Sequence, residues 1–411
     1  MAGLERAIVI GGGIGGLTAA AALHRRGVRV TVLERAASLE PVGAAISLSP
    51  NALRALDVIG IGDDVRALAA WQGDGGLRAP GGRWLARTSA AAAAERFGGP
   101  LVLLHRATLI GHLAARLPAG AVRTGTAARL LDPGAPDRPA RVGTPAGDLE
   151  ADLVVAADGI HSAVRRELFP SHPGPVYSGF TTWRLVIPVP GVEFASHETW
   201  GRGRIWGTHP LRDGRVYAYA AAPAPAGERA PDDERAELLR LYGDWHTPVP
   251  EVLAAARPGD VLRHDVHHIA VPLPAFHRGR VALAGDAAHA MPPTLGQGGN
   301  QAIEDAITLA HHAADLPAYT EARLPRTTAI ARRAVRAARL NMGTGRMATV
   351  VRDNVLIALS RTAPALFLRG FDGIADWRPP AGAARPGGSA EEAGRMLAAD
   401  HGRRGPEENT P

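Results

Sequence analysis

The chain contains no cysteine, and its 411 residues include no lysine either. The lack of sulfur ligands excludes disulfides, thiolate nucleophiles, cysteine-ligated zinc and iron–sulfur clusters. All 46 basic residues are therefore arginines. This excludes Schiff-base chemistry and a P-loop lysine as well, because both need a lysine amine.

Long apolar runs are also lacking. No window reaches the ~20 apolar residues that a membrane-spanning helix needs, so we expect a cytoplasmic protein without stable membrane insertion. Residues 351–371 come closest, but Arg352, Asp353 and Arg361 interrupt them. This pattern predicts a buried amphipathic helix.

The excess of positive charge is modest and dispersed. The formal net charge is +6, and 40 acidic residues are interleaved with the arginines. We therefore expect no nucleic-acid partner, because such binding needs a clustered basic surface. A chain of this length buries a large core in one or two domains. A monomer or a homodimer is expected, since the helical C-terminal third could serve a dimer.

The N-terminal pattern is typical of one βαβ unit. Residues 7–10 form an apolar strand pattern, and a glycine turn, a helical run to Arg26 and a second strand pattern at 28–33 follow. Similar strand-then-turn patterns recur at 151–159 and 280–286. Residues 172 to about 275 are rich in prolines and β-formers. These features indicate an α/β protein whose doubly wound domain is interrupted by a mostly β segment.

The glycine turn has the spacing G-x-G-x-x-G at Gly11, Gly13 and Gly16. The first glycine permits a tight turn, the second lets a pyrophosphate approach the backbone, and the third allows close helix–strand packing. Glu34 ends the second strand, where a carboxylate would accept the hydroxyls of a ribose. The pattern predicts a dinucleotide site, with Ile14 and Arg35 beside it, and leaves NAD and FAD both open.

Further segments resemble one known family, the FAD-dependent class A monooxygenases of the salicylate-hydroxylase-like branch. The resemblance covers about residues 5–345 and rests on the following segments: Arg106 with Leu109, Gly43 to Ile46 with Pro50 and Asn51, Asp158 to Arg165 (DGIHSAVR), Gly285 to His289 (GDAAH), and Pro293 to Ala306 (PTLGQGGNQAIEDA).

The resemblance implies a set of residues that bind non-covalent FAD. The resemblance associates Arg106 and Asp158 with FAD, places Asp286 at its ribityl and pyrophosphate region, and places Ala45 in the stretch beside the flavin. Gly296, Gly298, Gly299 and Asn300 open a helix. The free N–H groups of that helix could stabilise the anionic reduced flavin.

The domain boundaries follow from these segments. We predict a doubly wound, Rossmann-like FAD-binding domain that is interrupted by a mostly β substrate-binding domain. C-terminal helices and, because proline, glycine and charged residues dominate from Trp377 onward, a flexible tail should follow. The predicted ranges are 1–170 and 278–345 for the FAD-binding domain, 171–277 for the substrate-binding domain, 346–376 for the helical region and 377–411 for the tail.

The resemblance also implies a reaction. In this family FAD is reduced by NADH or NADPH and reacts with O₂ to give a C4a-hydroperoxyflavin, which transfers one oxygen atom to an electron-rich substrate. The expected activity is hydroxylation or epoxidation of a small aromatic or polycyclic molecule. The protein's part is to position the substrate and keep water away.

The residues that hold the substrate are less clearly marked. Arg184, Tyr217 and Pro293 are the candidate catalytic residues, and Arg184 could pair with a carboxylate or phenolate of the substrate. Tyr217 shares one face of a predicted strand with Arg215 and Tyr219. The alternative is that the tyrosines pack in the core and that Arg184 is a surface charge.

No metal site is expected. His264, His267 and His268 cluster with Asp265, but strand alternation scatters their side chains over both faces.

Three other functions remain as alternatives. A flavin-dependent halogenase is disfavoured, because that family relies on a lysine and the W-x-W-x-I-P motif is broken by Leu185. A flavin-dependent dehydrogenase or reductase without oxygen transfer would share the cofactor segments. A non-catalytic flavin-binding regulatory protein is disfavoured by the intact Glu34, Asp158 and Asp286.

Overall fold

The structure is a computed structural model that describes residues 4–39, 44–69, 75–191, 193–362 and 372–383. The part of the chain before residue 171 contains β1 (Arg6–Ile10), α1 (Ile14–Arg25), β2 (Arg29–Leu33), β3 (Ala45–Leu48), α2 (Pro50–Val58), α3 (Gly62–Ala67), β4 (Gly75–Arg78), β5 (Trp84–Thr88), α4 (Ala90–Phe97), β6 (Val102–His105), α5 (Arg106–Ala114), β7 (Val122–Arg123), β8 (Arg129–Asp132), β9 (Ala140–Thr144), β10 (Gly147–Ala151), β11 (Leu153–Ala156) and α6 (Ala163–Leu168).

The rest of the described chain holds a second sheet and the C-terminal helices. Its elements are β12 (Pro175–Pro188), β13 (His197–Trp200), β14 (Ile205–Pro210), β15 (Arg215–Pro223), α7 (Glu234–Tyr242), α8 (Val249–Ala255), β16 (Leu262–Ile269), β17 (His277–Arg278), β18 (Val281–Leu283), α9 (Asp286–His289), α10 (Gly298–His311), α11 (Leu316–Asn341) and α12 (Arg346–Thr362).

A six-stranded sheet in the order β17-β18-β11-β1-β2-β7 forms the centre of the first domain. The pairs of β1 with β2, β1 with β11 and β11 with β18 are all parallel. Every residue of β11 and β18 is buried, as expected for short apolar strands that are covered on both faces. Helices α1 and α10 pack against each other, and α1 follows the glycine turn directly. The predicted α/β, doubly wound fold is confirmed.

A seven-stranded sheet in the order β16-β12-β15-β14-β13-β4-β5 forms the second domain. One face is covered by α7 and α8, which pack on Trp183, Leu185 and Trp206. Strands β4 and β5 come from residues 75–88, and β4 pairs with β13 in parallel. The sheet therefore includes two strands from outside the predicted range 171–277, because long-range pairing brings in an earlier hairpin. The exact domain boundaries stay a prediction.

The prediction of a buried amphipathic helix at 351–371 is wrong for its described part. No residue of α12 is buried, and Met347 is 81% and Val351 59% exposed. The charged pair Arg352 and Asp353 lies inward instead, because Arg352 donates to the backbone oxygens of Trp200 and Gly201 at 3.4 and 3.2 Å. No helix among the described residues is long and apolar enough to cross a bilayer.

The packed structure extends into the predicted tail. Trp377 and Ala383 lie against the core of the first domain, and the backbone oxygen of Trp377 accepts a hydrogen bond from Nε of Arg54 at 2.8 Å. The local composition does not predict this packing, because the segment is held by one tryptophan, Trp377, and by Arg54, which lies far away in the sequence. The remainder of the predicted tail, residues 384–411, lies outside the described residues.

Candidate active site

The glycines in the turn between β1 and α1 serve two different purposes. Gly11 has φ +107°, and a Cβ there would clash with the backbone oxygen of Ala157. A Cβ at Gly16 would clash with the backbone oxygen of Gly11. These two glycines are needed by the chain itself. At Gly13, by contrast, a Cβ would meet only Nη2 of Arg106, at 4.0 Å, so the space beside Gly13 faces a cleft.

Glu34 lies at the carboxyl end of β2 beside this turn. Its Oε2 accepts a hydrogen bond from the backbone N–H of Gly12 at 2.7 Å, and its Oε1 accepts one from Ala36 at 2.8 Å. Two backbone donors thus fix the carboxylate, and each oxygen keeps a further lone pair for a ribose hydroxyl. Arg35 is exposed next to it.

Arg106 stands at the first position of α5, opposite Gly13. Ala45 pairs with His105, and Arg106 donates its backbone N–H to Ala44 at 2.9 Å, so strand pairing brings the Ala45 stretch to Arg106. Burial lowers the pKa of Arg106, while Asp286 raises it and Arg184 lowers it further. The side chain is nonetheless exposed to solvent. Arg106 is therefore largely surrounded by protein, and its side chain still reaches solvent, as expected for a cation in the wall of a cleft.

Asp158 follows β11 at the same edge of the sheet. Its Oδ2 accepts from the N–H groups of Ala163 and Val164 at 2.8 and 3.2 Å, which caps α6. Its Oδ1 is buried and has no hydrogen-bond partner among the described residues. An unsatisfied buried carboxylate oxygen is costly unless a ligand donates to it.

Asp286 begins α9 after β18 and is exposed. A Cβ at Gly298 would lie 3.9 Å from its Oδ1, so Asp286 lies at the start of α10. The segment is tied to Asp158 through buried Arg165, which donates to the backbone oxygens of Ala287 and Ile160 at 2.9 and 2.6 Å. Two distant sequence motifs therefore form one wall of the cleft.

The start of α10 packs against β3. A Cβ at Gly299 would lie 2.6 Å from Cδ1 of Ile46. The amide of Asn300 accepts from the N–H of Ser49 at 2.8 Å and donates to Ser47 at 2.9 Å and Gly296 at 2.7 Å. The Asn300 side chain is thus used within the protein, which leaves its backbone N–H, with those of Gly298 and Gly299, for a ligand.

A buried polar network underlies this helix start. Asp305 accepts hydrogen bonds from the backbone N–H of Gly285 at 2.8 Å and from Nε of Arg323 at 2.6 Å, and it pairs with His289 Nε2 at 2.5 Å. Arg323 also pairs with Glu304 at 2.5 Å. Asp305 therefore joins α9, α10 and α11 behind Asp286.

The sheet of the second domain faces this cleft with Arg184 and an aromatic platform formed by His209, Tyr217 and Tyr219. Arg184 pairs with Tyr219 across β12 and β15, and Tyr217 pairs with His209 across β15 and β14. Two-residue alternation places all four on one face, opposite the face covered by α7 and α8. The predicted residues Arg184 and Tyr217 are thus brought together.

The Tyr219 ring of the platform is positioned by Gly207 and Glu198, two residues that sequence reasoning missed. The Tyr219 ring lies over Gly207, where a Cβ would overlap it. Its hydroxyl donates to Glu198, which also accepts from Trp200 Nε1 at 2.8 Å. The His209 ring lies 5.5 Å from Tyr219 at an interplanar angle of 17°. The alternation in β13 placed Glu198 and Trp200 on one face. Only the register of β13 with β14 and of β14 with β15 brings Glu198 to Tyr219.

Arg184 is the cation at the edge of the platform. No hydrogen bond or ion pair joins its side chain to any described part of the chain. Burial raises the pKa of Tyr217, and Arg184 counteracts that rise, which places the two side chains within electrostatic reach. Pro293 lies exposed in a short helical turn, Pro293–Leu295, ahead of α10.

Burial lowers the pKa of His209 to about 3, with a smaller contribution from His197. A histidine in the unfolded chain titrates near pH 6.5. Below that pH the unfolded chain therefore binds a proton at this position, whereas His209 in the folded protein stays neutral until about pH 3. We expect the free energy of unfolding to fall as the pH drops below about 6.5. The H209Q variant should lose less of this free energy between about pH 7 and about pH 5 than the wild type does. Thermal unfolding at both values measures this. The exposed His24 supplies the matched control H24Q, and an unchanged pH dependence in H209Q would contradict the assignment.

The chain is similar in sequence to a family of FAD-binding domains and to known monooxygenases. A family model described as "FAD binding domain" matches residues 5–334. An aurachin C monooxygenase/isomerase from Stigmatella aurantiaca is 37% identical over 81% of this chain and 85% of its own length. A 3-amino-4-hydroxybenzoate 2-monooxygenase from Streptomyces cremeus is 37% identical over 81% of this chain and 86% of its own.

Solved structures show the same fold. Klebsiella pneumoniae HpxO complexed with FAD and uric acid aligns with a TM-score of 0.80 and 29% identity, over 89% of this chain and 95% of HpxO. A salicylate hydroxylase substrate complex aligns with a TM-score of 0.70 at 23% identity, over 92% of this chain and 99% of that one.

Proposed function

This chain belongs to the FAD-binding-domain family that includes flavin-dependent monooxygenases, and from that membership we propose that it is an FAD-dependent monooxygenase of a small aromatic or polycyclic substrate. The observation that carries the proposal is the cleft itself. Its walls hold the open space at Gly13, the side chain of Arg106 and Oδ1 of Asp158, and no hydrogen bond from the described residues reaches either side chain at these atoms. A dinucleotide would fill the space and supply partners to both.

The cleft supports a role for each cofactor-binding residue. Gly13 and Arg106 would hold the pyrophosphate, Glu34 the adenosine ribose, and Asp286 the ribityl and pyrophosphate region. The N–H groups at the start of α10 would stabilise negative charge on the ring system. Bound FAD supplies the activation of O₂ after reduction by NADH or NADPH, which are the proposed co-substrates.

The second sheet would hold the substrate over the cofactor. The aromatic platform offers flat apolar surface to a planar ring, and Arg184 offers a positive charge to a carboxylate or phenolate. A substrate ring that covers the platform would also displace water from the cofactor, which would limit the loss of activated oxygen. The 3-amino-4-hydroxybenzoate named for one relative is a molecule of this class.

The function is tested by the visible spectrum of the purified protein and by substrate-dependent turnover. We expect a flavin spectrum, release of FAD on denaturation, and NADH or NADPH oxidation with matching O₂ uptake and a hydroxylated product. FAD binding without O₂ use would indicate the dehydrogenase alternative. FAD binding without any turnover would indicate a regulatory protein, and a colourless protein that FAD does not reconstitute would refute the cofactor assignment.

Arg184 should control the affinity for acidic substrates. Replacing it by methionine keeps much of the volume and removes the charge, so we expect KM for an aromatic acid to rise about ten- to a hundredfold, as for a lost hydrogen bond to a charged group. The KM for the uncharged amide of that acid should change little. Arg215 on the neighbouring strand β15 is paired with Asp213 at 2.6 Å, and R215M is the matched control. Equal effects on acid and amide would contradict this role.

Gly207 should control the shape of the platform. The G207A methyl group would overlap the Tyr219 ring, so the ring must move away from Glu198. We expect substrate binding to weaken about tenfold or more, while FAD content stays unchanged. Gly111 in α5 has open space around it, and G111A is the control. Substrate titration of the flavin spectrum measures both variants, and wild-type affinity in G207A would contradict the prediction.

A further inference from the structure

Helix α12 carries apolar side chains on its outward face as well as on its inward face. The residues spaced three and four apart on the outward face are Met347, Val350, Val351, Asn354, Val355 and Ala358, and all are exposed. The inward face holds the partly buried Leu356 and Ile357 together with the ion pair of Arg352 and Asp353, whose side chains are only 8% and 13% exposed. A surface helix normally confines its apolar stripe to the inward face.

The exposed apolar residues of the described structure concentrate here. Among the nine large apolar side chains that are exposed in the described ranges, five lie between residues 340 and 355: Leu340, Met347, Val350, Val351 and Val355. Scattered single residues would need no explanation, but a cluster on one helix and the preceding helix end indicates an interaction surface.

Residues 332–362 also carry an excess of positive charge, although basic and acidic residues are interleaved over the chain as a whole. Residues 332–362 contain seven arginines and a single acidic residue, Asp353, which Arg352 neutralises. The net charge of this segment is +6, equal to the formal net charge of the whole chain. The exposed arginines are Arg332, Arg336, Arg339, Arg346 and Arg361.

We propose that α12 and the end of α11 form a surface that lies on an anionic lipid bilayer. Apolar side chains on an outward helix face, flanked by arginines, are the combination that enters the boundary between headgroups and acyl chains. The helix would lie in the plane of the membrane and would not cross it. This attachment is independent of the proposed catalytic function.

The positive charge of this surface disfavours a second copy of the chain as its binding partner. In a twofold symmetric dimer the same patch meets itself, so α12 would bring two arginine-rich surfaces together. Acidic groups that could relieve this repulsion are absent from residues 354–362 and 332–352. A bilayer that contains phosphatidylglycerol supplies negative charge and an apolar interior together.

Co-sedimentation of the FAD-loaded full chain with vesicles tests the proposal. The vesicles are phosphatidylcholine alone or phosphatidylcholine mixed with phosphatidylglycerol. We expect binding to the mixed vesicles, no binding to pure phosphatidylcholine, and release at high salt. The R336Q/R339Q variant should partition about twenty-fivefold more weakly, at about fivefold per arginine. The V351S/V355S variant should also bind about tenfold or more weakly.

Matched variants separate this surface from general effects. Arg26 and Arg129 are exposed elsewhere, and so is Leu101. R26Q/R129Q and L101S should bind like the wild type, and all variants should keep their FAD. Absence of binding to mixed vesicles at low salt would overturn the proposal, and so would equal loss in the control variants.

Two further results would assign the surface to another occupant and overturn the proposal. One is a dimer in light scattering that V351S/V355S dissociates. The other is vesicle binding that appears only after residues 384–411 are removed, since that would mean that the chain's own C-terminal residues cover α12.

Discussion

Replacement of Gly13 by valine is expected to abolish FAD binding while the protein stays folded. A Cβ at Gly13 would meet only Nη2 of Arg106, at 4.0 Å, and the end of that flexible side chain can move to make room for the two methyl groups of valine. The pyrophosphate of FAD, however, must approach the backbone at this glycine. We expect the FAD affinity to fall at least about a hundredfold, which corresponds to roughly 3 kcal/mol.

Flavin content after gel filtration and thermal unfolding of the flavin-free protein together measure this effect. The contrasting variant is G16A, whose methyl group would clash with the backbone oxygen of Gly11. It should destabilise the flavin-free protein, whereas G13V should not. Full flavin occupancy in G13V would refute the cofactor site, and unfolding of flavin-free G13V would mean that Gly13 is needed by the chain.

Replacement of Asp305 by alanine is expected to destabilise the protein by about 3–5 kcal/mol. This residue is fully buried, and its loss leaves the buried Arg323 and His289 without their shared acceptor. Breaking one member of a buried charge network costs this much because Nε of Arg323 and Nε2 of His289 lose their partner away from water, although Arg323 keeps Glu304. Flavin content should also fall, since Gly285 loses the acceptor that holds the start of α9.

Urea unfolding measures the free energy, and D148A is the matched control. Asp148 pairs with Arg141 at 2.7 Å, but the two side chains are 50% and 47% exposed, so its loss should cost at most about 1 kcal/mol. Equal effects of D305A and D148A would contradict the assigned role of the network.

The pH dependence of Asp305 has a definite sign. Burial raises its pKa, but His289 and Arg323 outweigh this and hold the pKa well below its ordinary value. The stabilisation is therefore present above the unfolded pKa of about 4 and is lost as pH falls below it. The difference between wild type and D305A should persist down to about pH 5 and shrink in stronger acid.

Local patterns were sufficient to place the residues of the proposed cofactor cleft. The order of strand, glycine turn and helix is set by neighbouring residues, and parallel strands end at one edge of the sheet. Glu34, Asp158 and Asp286 therefore had to lie near one another. The structure adds that Asn300 serves mainly to tie α10 to β3, a role that depends on a residue about 250 positions earlier in the chain.

The substrate half could be predicted only in part. The alternation in β15 placed Tyr217 and Tyr219 on one face, but it could not say whether that face met the core or the cleft. The register of β12, β15 and β14 decides this, because it aligns Arg184, Tyr219 and Gly207 in one row. Glu198 joins them only through a fourth strand.

The sequence by itself therefore determined the fold class, a dinucleotide site and the absence of cysteine and lysine chemistry, since each follows from residue identity or short-range spacing, and its resemblance to a known family implied that the dinucleotide is FAD. Only the tertiary structure decided which sheet face lines the cleft, that β4 and β5 complete that sheet, and that α12 leaves one of its apolar faces exposed. These features depend on strand register and on contacts such as that of Arg352 with Trp200, which join residues far apart in the chain and leave no local pattern.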